Sequence, residues 1–266
     1  MSKKIIPLFI AAILVILSFM SVCSNATDIM YNTYHRRIYS ETKSKNSSND
    51  DNRGAKNSSN NEFTYETIDV RNMDEATLEK NMIEDFKNVS NFNRDIAGWI
   101  NIPNVGYFPV MQCNNNSYYL SHNEYKEVEQ NGAPFLDKDC DGFRNVSLIY
   151  GHHYSSGKMF GGLEKYKEQD FFFQNEFVTI YDGKYFYYYK PFSIYLFKSR
   201  TYSVQVTFDS LQEKEQYLQE IANCSTFVSD TPLGCGNSVL FLQTCDYSFY
   251  DARLVIAFKR THTKKI

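Results

Sequence analysis

The sequence has almost no excess charge of either sign. Its 266 residues carry 28 Lys and Arg against 31 Asp and Glu, a formal balance of −3. The basic patch that nucleic-acid binding requires is therefore missing. The charges are interspersed instead, as on an ordinary solvated surface. No Cys or His group has the usual spacing of a metal site, and no internal repeat is evident. Glycine is scarce, with 12 residues against 21 Tyr and 21 Phe, which favours a strand-rich body over a helical bundle. The hydrophobic share of 42% is ample for one large core or two small ones.

Long apolar runs are also lacking, with one exception at the N-terminus. After Lys3 and Lys4, residues 5–23 are almost uninterruptedly apolar, long enough to cross a bilayer core of ~30 Å as a helix. Pro7 falls near the start, where a helix tolerates it best. A cleavable signal peptide is the rival reading, with Ser24-Asn25-Ala26 as a loose small-residue site. A lipidated Cys23 would have Val22 where a small residue belongs. The favoured expectation is an uncleaved anchor with its N-terminus inside, against which Arg36 and Arg37 compete as positive charge beyond the span. The chain is then exported. Of six cysteines, Cys113, Cys140, Cys224 and Cys235 remain once Cys23 and Cys245 are set aside. Cys224 and Cys235 are the best candidates for a pair, but free thiols are the simpler expectation for a domain with this much core.

Residues 43–62 hold no aromatic and no aliphatic larger than alanine, so they cannot bury enough surface to fold. They read as a flexible stalk, with a root-mean-square reach of about 25 Å. The expected organisation is a cytoplasmic tip and anchor over 1–27, a polar stalk over 28–62 and a folded domain over 63–266. Asn72-Met73-Asp74-Glu75 predicts a capping box, followed by Leu78, Met82 and Phe86 on one helical face. Strands are predicted over 100–102, 107–112, 133–136, 147–152, 177–181, 185–198, 203–208, 238–244 and 253–259. Asp182-Gly183 marks a hairpin turn. One helix is expected over 158–166. Another opens at Ser210-Leu211-Gln212-Glu213, with Leu211, Leu218 and Ile221 on its buried face. Many short strands with few helices favour a closed or nearly closed β-barrel.

The reactive residues cluster at strand ends. Leu242-Gln243-Thr244-Cys245-Asp246 ends one apolar strand in a thiol, and Ser147-Leu148-Ile149-Tyr150-Gly151-His152 ends another in an imidazole. Arg253 opens the next strand, eight residues after Cys245 across one loop. A free cysteine is most often a small buried hydrophobe, yet polar Asp246 follows this one directly. His152 and His153 are neighbours on a strand, so only one can face the cysteine. Arg253 alone would read as a strand-edge charge. Together the three supply a nucleophile, a proton carrier and a fork of five donors for an oxyanion or a substrate backbone. Asp251 is placed to orient the guanidinium or to cap the loop.

Phe241-Leu242-Gln243-Thr244-Cys245 resembles the Thr-Leu-Xaa-Thr-Cys signature of the sortase family, with phenylalanine for the first threonine. Gly98-Trp99-Ile100-Asn101-Ile102-Pro103, Tyr118-Tyr119-Leu120-Ser121-His122-Asn123, Tyr150-Gly151-His152-His153 and Met159-Phe160-Gly161-Gly162-Leu163-Glu164-Lys165-Tyr166 are similar to class B in order and spacing. His153 departs from the asparagine expected there, and His122 matches without an assignable chemical role. The resemblance implies a closed eight-stranded barrel with peripheral helices, the second helix lying between strands six and seven. It implies catalysis by His152, Cys245 and Arg253, with Leu120, Asn116, Tyr150, Gln243, Thr244 and Tyr202 lining a substrate groove. The implied reaction is transpeptidation in a Gram-positive cell wall: cleavage of a C-terminal sorting signal after threonine and transfer to a peptidoglycan amine. Membrane anchoring would leave the catalytic domain extracellular, and no metal or organic cofactor is called for. A pilin-polymerising sortase, a hydrolytic cysteine protease and a non-catalytic surface receptor are the alternatives, the receptor opposed by the intact Cys/His/Arg set.

Overall fold

The computed structural model describes residues 33–40, 62–174, 177–229, 233–234 and 236–266. The expected anchor over 5–23 lies outside them. Among the described residues, no helix is long and apolar enough to cross a membrane.

A two-stranded antiparallel sheet comes first, β1 (Thr33–Ser40) against β2 (Glu62–Asp69). The stalk expected over 28–62 is corrected here, because residues 33–40 form a strand. Arg36 explains its place on the body: the buried guanidinium binds the buried Asp85 carboxylate on α1 (Glu75–Ser90). The N-cap of α1 is Asp74 rather than Asn72, its carboxylate accepting from the Thr77 N–H at 2.7 Å. Met82 is fully buried on the inner face of this helix, a contribution of roughly 1.5–3 kcal/mol for such a side chain.

Eight further strands close a barrel. They are β3 (Ile96–Ile102), β4 (Gly106–Met111), β5 (Phe135–Leu136), β6 (Val146–Tyr150), β7 (Val178–Tyr181), β8 (Tyr185–Lys198), β9 (Val239–Asp246) and β10 (Ala252–Lys265). The order around the barrel is β10-β8-β7-β3-β4-β5-β6-β9. The Asp182-Gly183 turn joins β7 to β8: the aspartate accepts from the N–H groups of Lys184 and Tyr185, and Gly183 takes φ +91°, a conformation open to glycine. The helix α2 (Gln169–Gln174) precedes β7, and α3 (Leu211–Asn223) lies between the sixth and seventh barrel strands, as expected.

Three local expectations are corrected. Residues 203–208 alternate like a strand but join no ladder; Gln205 N–H donates instead to the Tyr217 hydroxyl of α3. The helix expected over 158–166 is a 3-10 segment, Phe160–Lys167. Leu211 is 63% exposed although it shares the stripe of Lys214, Leu218 and Ile221, because a helical side chain leans toward the N-terminus and that of the first residue reaches past the end of α3.

Strand β6 runs parallel to β9. Parallel neighbours need a long crossover, and here everything from β6 to β9 serves as one. The C-terminal ends of both strands therefore open at the same end of the barrel, and β10 starts there as well.

Candidate active site

The ladder of β9 fixes what meets at that end. Antiparallel pairing sets Arg253 directly opposite Cys245, which puts both side chains on one face of the sheet. On the other side of β9, parallel pairing matches Tyr150 with Gln243. The same register continues beyond β6: Gly151 N–H donates to the Gln243 carbonyl at 3.1 Å, and Thr244 Oγ1 donates to the Gly151 carbonyl at 2.8 Å. Extended one more step, it brings His152 level with Cys245. Thiol and guanidinium thus face each other across β9 and β10, with the imidazole two residues beyond the end of β6, and all three are half-buried. Gly151 is required at the approach, because a Cβ there would stand 2.5 Å from the Phe160 ring.

The two histidines go to different surroundings. His152 Nε2 lies 2.7 Å from the Leu120 carbonyl oxygen. A carbonyl only accepts, so Nε2 carries a hydrogen and Nδ1 is left to exchange a proton. The His153 side chain is 3% exposed, with Nε2 3.2 Å from the Glu164 carboxylate and its ring edge-on to Tyr247.

Charges around the mouth steady the strand ends. Asp246 is buried, which pushes its carboxyl up, but the Lys167 ammonium and the hydrogen bonds from Ser248 outweigh this and hold it below the usual range. Asp251, at φ +62°, accepts from the Ser199 hydroxyl at 2.6 Å and from Arg200 N–H at 3.0 Å. The Ser199 bond, with the others, keeps it ionised to lower pH than an ordinary aspartate. It lies 3.6 Å from the Arg253 guanidinium, which also donates to the Ala252 carbonyl at 2.9 Å.

The expected groove residues fall into four settings. Leu120 is 40% exposed and Gln243 is half-buried. Tyr150 and Asn116 are tied to one acceptor: the Tyr150 hydroxyl donates to Asp137 Oδ2 at 2.7 Å and Asn116 Nδ2 to the same oxygen at 2.8 Å. Asp137 carried no signal in the sequence, where it reads as the residue after a short strand. Burial, then this carboxylate, push the Tyr150 phenol well up. Thr244 lies apart from these. It is buried on the face away from Cys245, and its hydroxyl bolts β9 to the His152 segment. Tyr202 donates its hydroxyl to Tyr217 at 2.8 Å and packs edge-on against Phe197, the residue opposite Arg253 on β8. His122 stacks on Tyr118.

Cys113, Cys140, Cys224 and Cys245 are free thiols, while Cys23 and Cys235 lie outside the described residues. Burial pushes the Cys140 thiol up to about 12, which leaves it inert as a nucleophile at neutral pH. Among the described residues, no three His, Cys, Asp or Glu side chains converge as a metal ion would need.

A closed barrel whose mouth aligns a thiol with an imidazole and a guanidinium is built for acyl transfer through cysteine. No protein-family model matches the chain, but individual proteins do. The crystal structure of Clostridium perfringens sortase B is 31% identical, with a TM-score of 0.63, over 66% of this chain and 99% of that one. Sortase B of Listeria monocytogenes is 28% identical over 197 residues, 71% of this chain and 80% of the relative. Staphylococcus aureus sortase B, solved as a substrate complex, is 25% identical with a TM-score of 0.62, over 70% of this chain and 88% of that one. The chain belongs to the class B sortases and is a cysteine transpeptidase.

Proposed function

We propose that the protein cleaves the C-terminal sorting signal of secreted proteins after threonine and transfers the acyl group to a cell-wall amine of a Gram-positive envelope. The observation that supports this reading is the pairing of Arg253 with Cys245 on β10 and β9, beside the end of β6 from which His152 follows. The Cys245 thiolate attacks the threonine carbonyl carbon, forming the C–S bond and moving an electron pair onto oxygen. Arg253 turns its fork toward that oxyanion or clamps the neighbouring substrate backbone. As the C–N bond breaks, His152 gives its proton to the departing amine. A peptidoglycan amine then attacks the thioester, His152 takes its proton, and the C–S bond breaks to return the thiolate.

The substrate residues before threonine would lie against Leu120 and Tyr150, with Asn116, Gln243 and Tyr202 around them. The apolar run over 5–23 would hold the enzyme at the outer membrane face, where substrates leave the secretion channel. The motif would be Asn-Pro-Xaa-Thr-Asn-like or Pro-Xaa-Thr-Gly-like. The test is mass spectrometry of full-length enzyme with peptides of both motifs, with and without an oligoglycine or diaminopimelate-type amine. The expected products are a peptide ending in threonine and its amide with the added amine. Cleavage with no requirement for threonine would defeat the reading.

A further inference from the structure

The Leu120 carbonyl that holds the His152 ring ends a single 3-10 turn, Tyr118–Leu120, within the loop between β4 and β5, so something must hold that loop. Beneath it, Tyr119 is 1% exposed, turned inward while Leu120 faces out. The Tyr119 hydroxyl donates to Asp95 Oδ2 at 2.8 Å and accepts from Asn93 Nδ2 at 2.8 Å. Asn93 is equally buried. Its amide also donates to the Glu124 carbonyl at 2.9 Å, and its oxygen accepts from Asp95 N–H at 3.0 Å. The backbone closes the same loop from the other side, Ala133 N–H donating to the Tyr119 carbonyl at 3.0 Å. Asn93 and Asp95 lie between α1 and β3, so the loop is referred to the barrel wall through the buried Asn93 and Tyr119 and the half-buried Asp95, which also pairs with Lys126 at 2.9 Å. Such networks fix one geometry because any displacement strands a buried donor or acceptor.

We infer that Asn93 and Tyr119 are positioning residues of the transpeptidation, holding the Leu120 carbonyl where it fixes the His152 ring and directs its proton. This rests on the reading of His152 as proton carrier. Neither residue touches the mouth, and their effect passes through one backbone oxygen. A misplaced imidazole harms the step that needs a proton, the expulsion of an amine, more than the expulsion of a thiolate, which leaves without one.

The experiment compares two substrates of identical acyl part, one with the scissile amide and one with a thioester in its place. Full-length parent, Tyr119→Phe, Asn93→Ala and His152→Ala proteins are assayed on both. Tyr119→Phe keeps the ring, which packs edge-on to Tyr118, and Asn93→Ala serves as the independent second variant. Each is expected to lower the amide-to-thioester ratio of kcat about tenfold, a fraction of what general acid catalysis contributes, with KM changed less than about twofold. A purely structural role lowers both substrates alike and leaves the ratio at the parent value, which would overturn the proposal, as would no loss at all. His152→Ala must lower the ratio further. If that variant keeps the parent ratio, the proton-carrier reading itself fails, whatever Tyr119→Phe does.

Discussion

The barrel mouth and the layer beneath α1 both contain charged side chains, and they use them in opposite ways. Under α1 the charges satisfy one another. Arg36 meets Asp85, Glu84 and Glu66, the Tyr107 hydroxyl donates to Asp85, and Glu79 takes the Lys264 ammonium and the Tyr188 hydroxyl. At the mouth, Cys245 and Arg253 are located by strand register and His152 by the Leu120 carbonyl, and among the described residues Arg253 is the one of the three that forms an ion pair, with Asp251. Charges spent on each other fix one packing arrangement; groups held by the backbone stay available to a substrate.

Substitutions test this division. Cys245→Ala should abolish peptide cleavage while its thermal unfolding stays within a few degrees of the parent. Near-parental cleavage in that variant would remove the nucleophile assignment. His152→Ala should likewise abolish amide turnover, whereas His153→Ala, whose partner is Glu164, should keep most of it. Reversed effects would mean that the cysteine faces the other histidine.

Arg36→Ala should do the reverse, costing about 3–5 kcal/mol in denaturant unfolding because a buried carboxylate loses its partner. The kcat of the folded enzyme should stay close to the parent value. The sign with pH follows from Asp85. Burial pushes its carboxyl up and the Arg36 and Tyr107 bonds pull it back, leaving it above the usual range. Without Arg36 it rises further. The protonated form folds without that penalty, so the deficit should be largest at neutral pH and shrink as pH falls through the raised value. A pH-independent deficit would point to lost packing instead.

Arg253→Lys should lower turnover on the order of 10²-fold, the size of losing an oxyanion donor, because lysine offers a compact charge rather than a planar fork. Near-normal turnover would show that charge alone suffices. The smallest effect is expected from Thr244→Val, about 1 kcal/mol of stability for one lost hydrogen bond, together with a modest fall in kcat. A large change in KM would mean that Thr244 meets substrate after all.

Much of the barrel was legible because its strands are long or sharply bounded. The predicted strand over 185–198 coincides with β8, a run of aromatic and branched residues beginning beside Asp182-Gly183. The β1–β2 pair was not legible, since its halves are separated by a polar run with no turn signal and their match depends on Arg36 finding Asp85. Residues 203–208 have the right alternation, but Tyr217 takes one of their donors and no barrel edge is open to them. Cys245, His152 and Arg253 could be read because side chains are what a sequence spells out. Leu120 acts on His152 through a carbonyl that any residue possesses, so Asn93 carried no signal and Tyr119 stood in a recognisable motif with no sign of the role beneath it.

Were the apolar run an anchor, as proposed, the pairing of Ser40 with Glu62 would set the length of the leash. Adjacent strands lie about 5 Å apart, so the polar run between them leaves and returns at nearly one point and adds nothing to the leash. Only residues 24–32 separate the apolar run from β1, and fully extended they span roughly 30–35 Å. With the apolar run in a bilayer, as proposed, the catalytic body works within about its own diameter of the lipid surface. Residues added within 24–32 should widen the zone in which substrates are captured, and the same residues added within 41–61 should not.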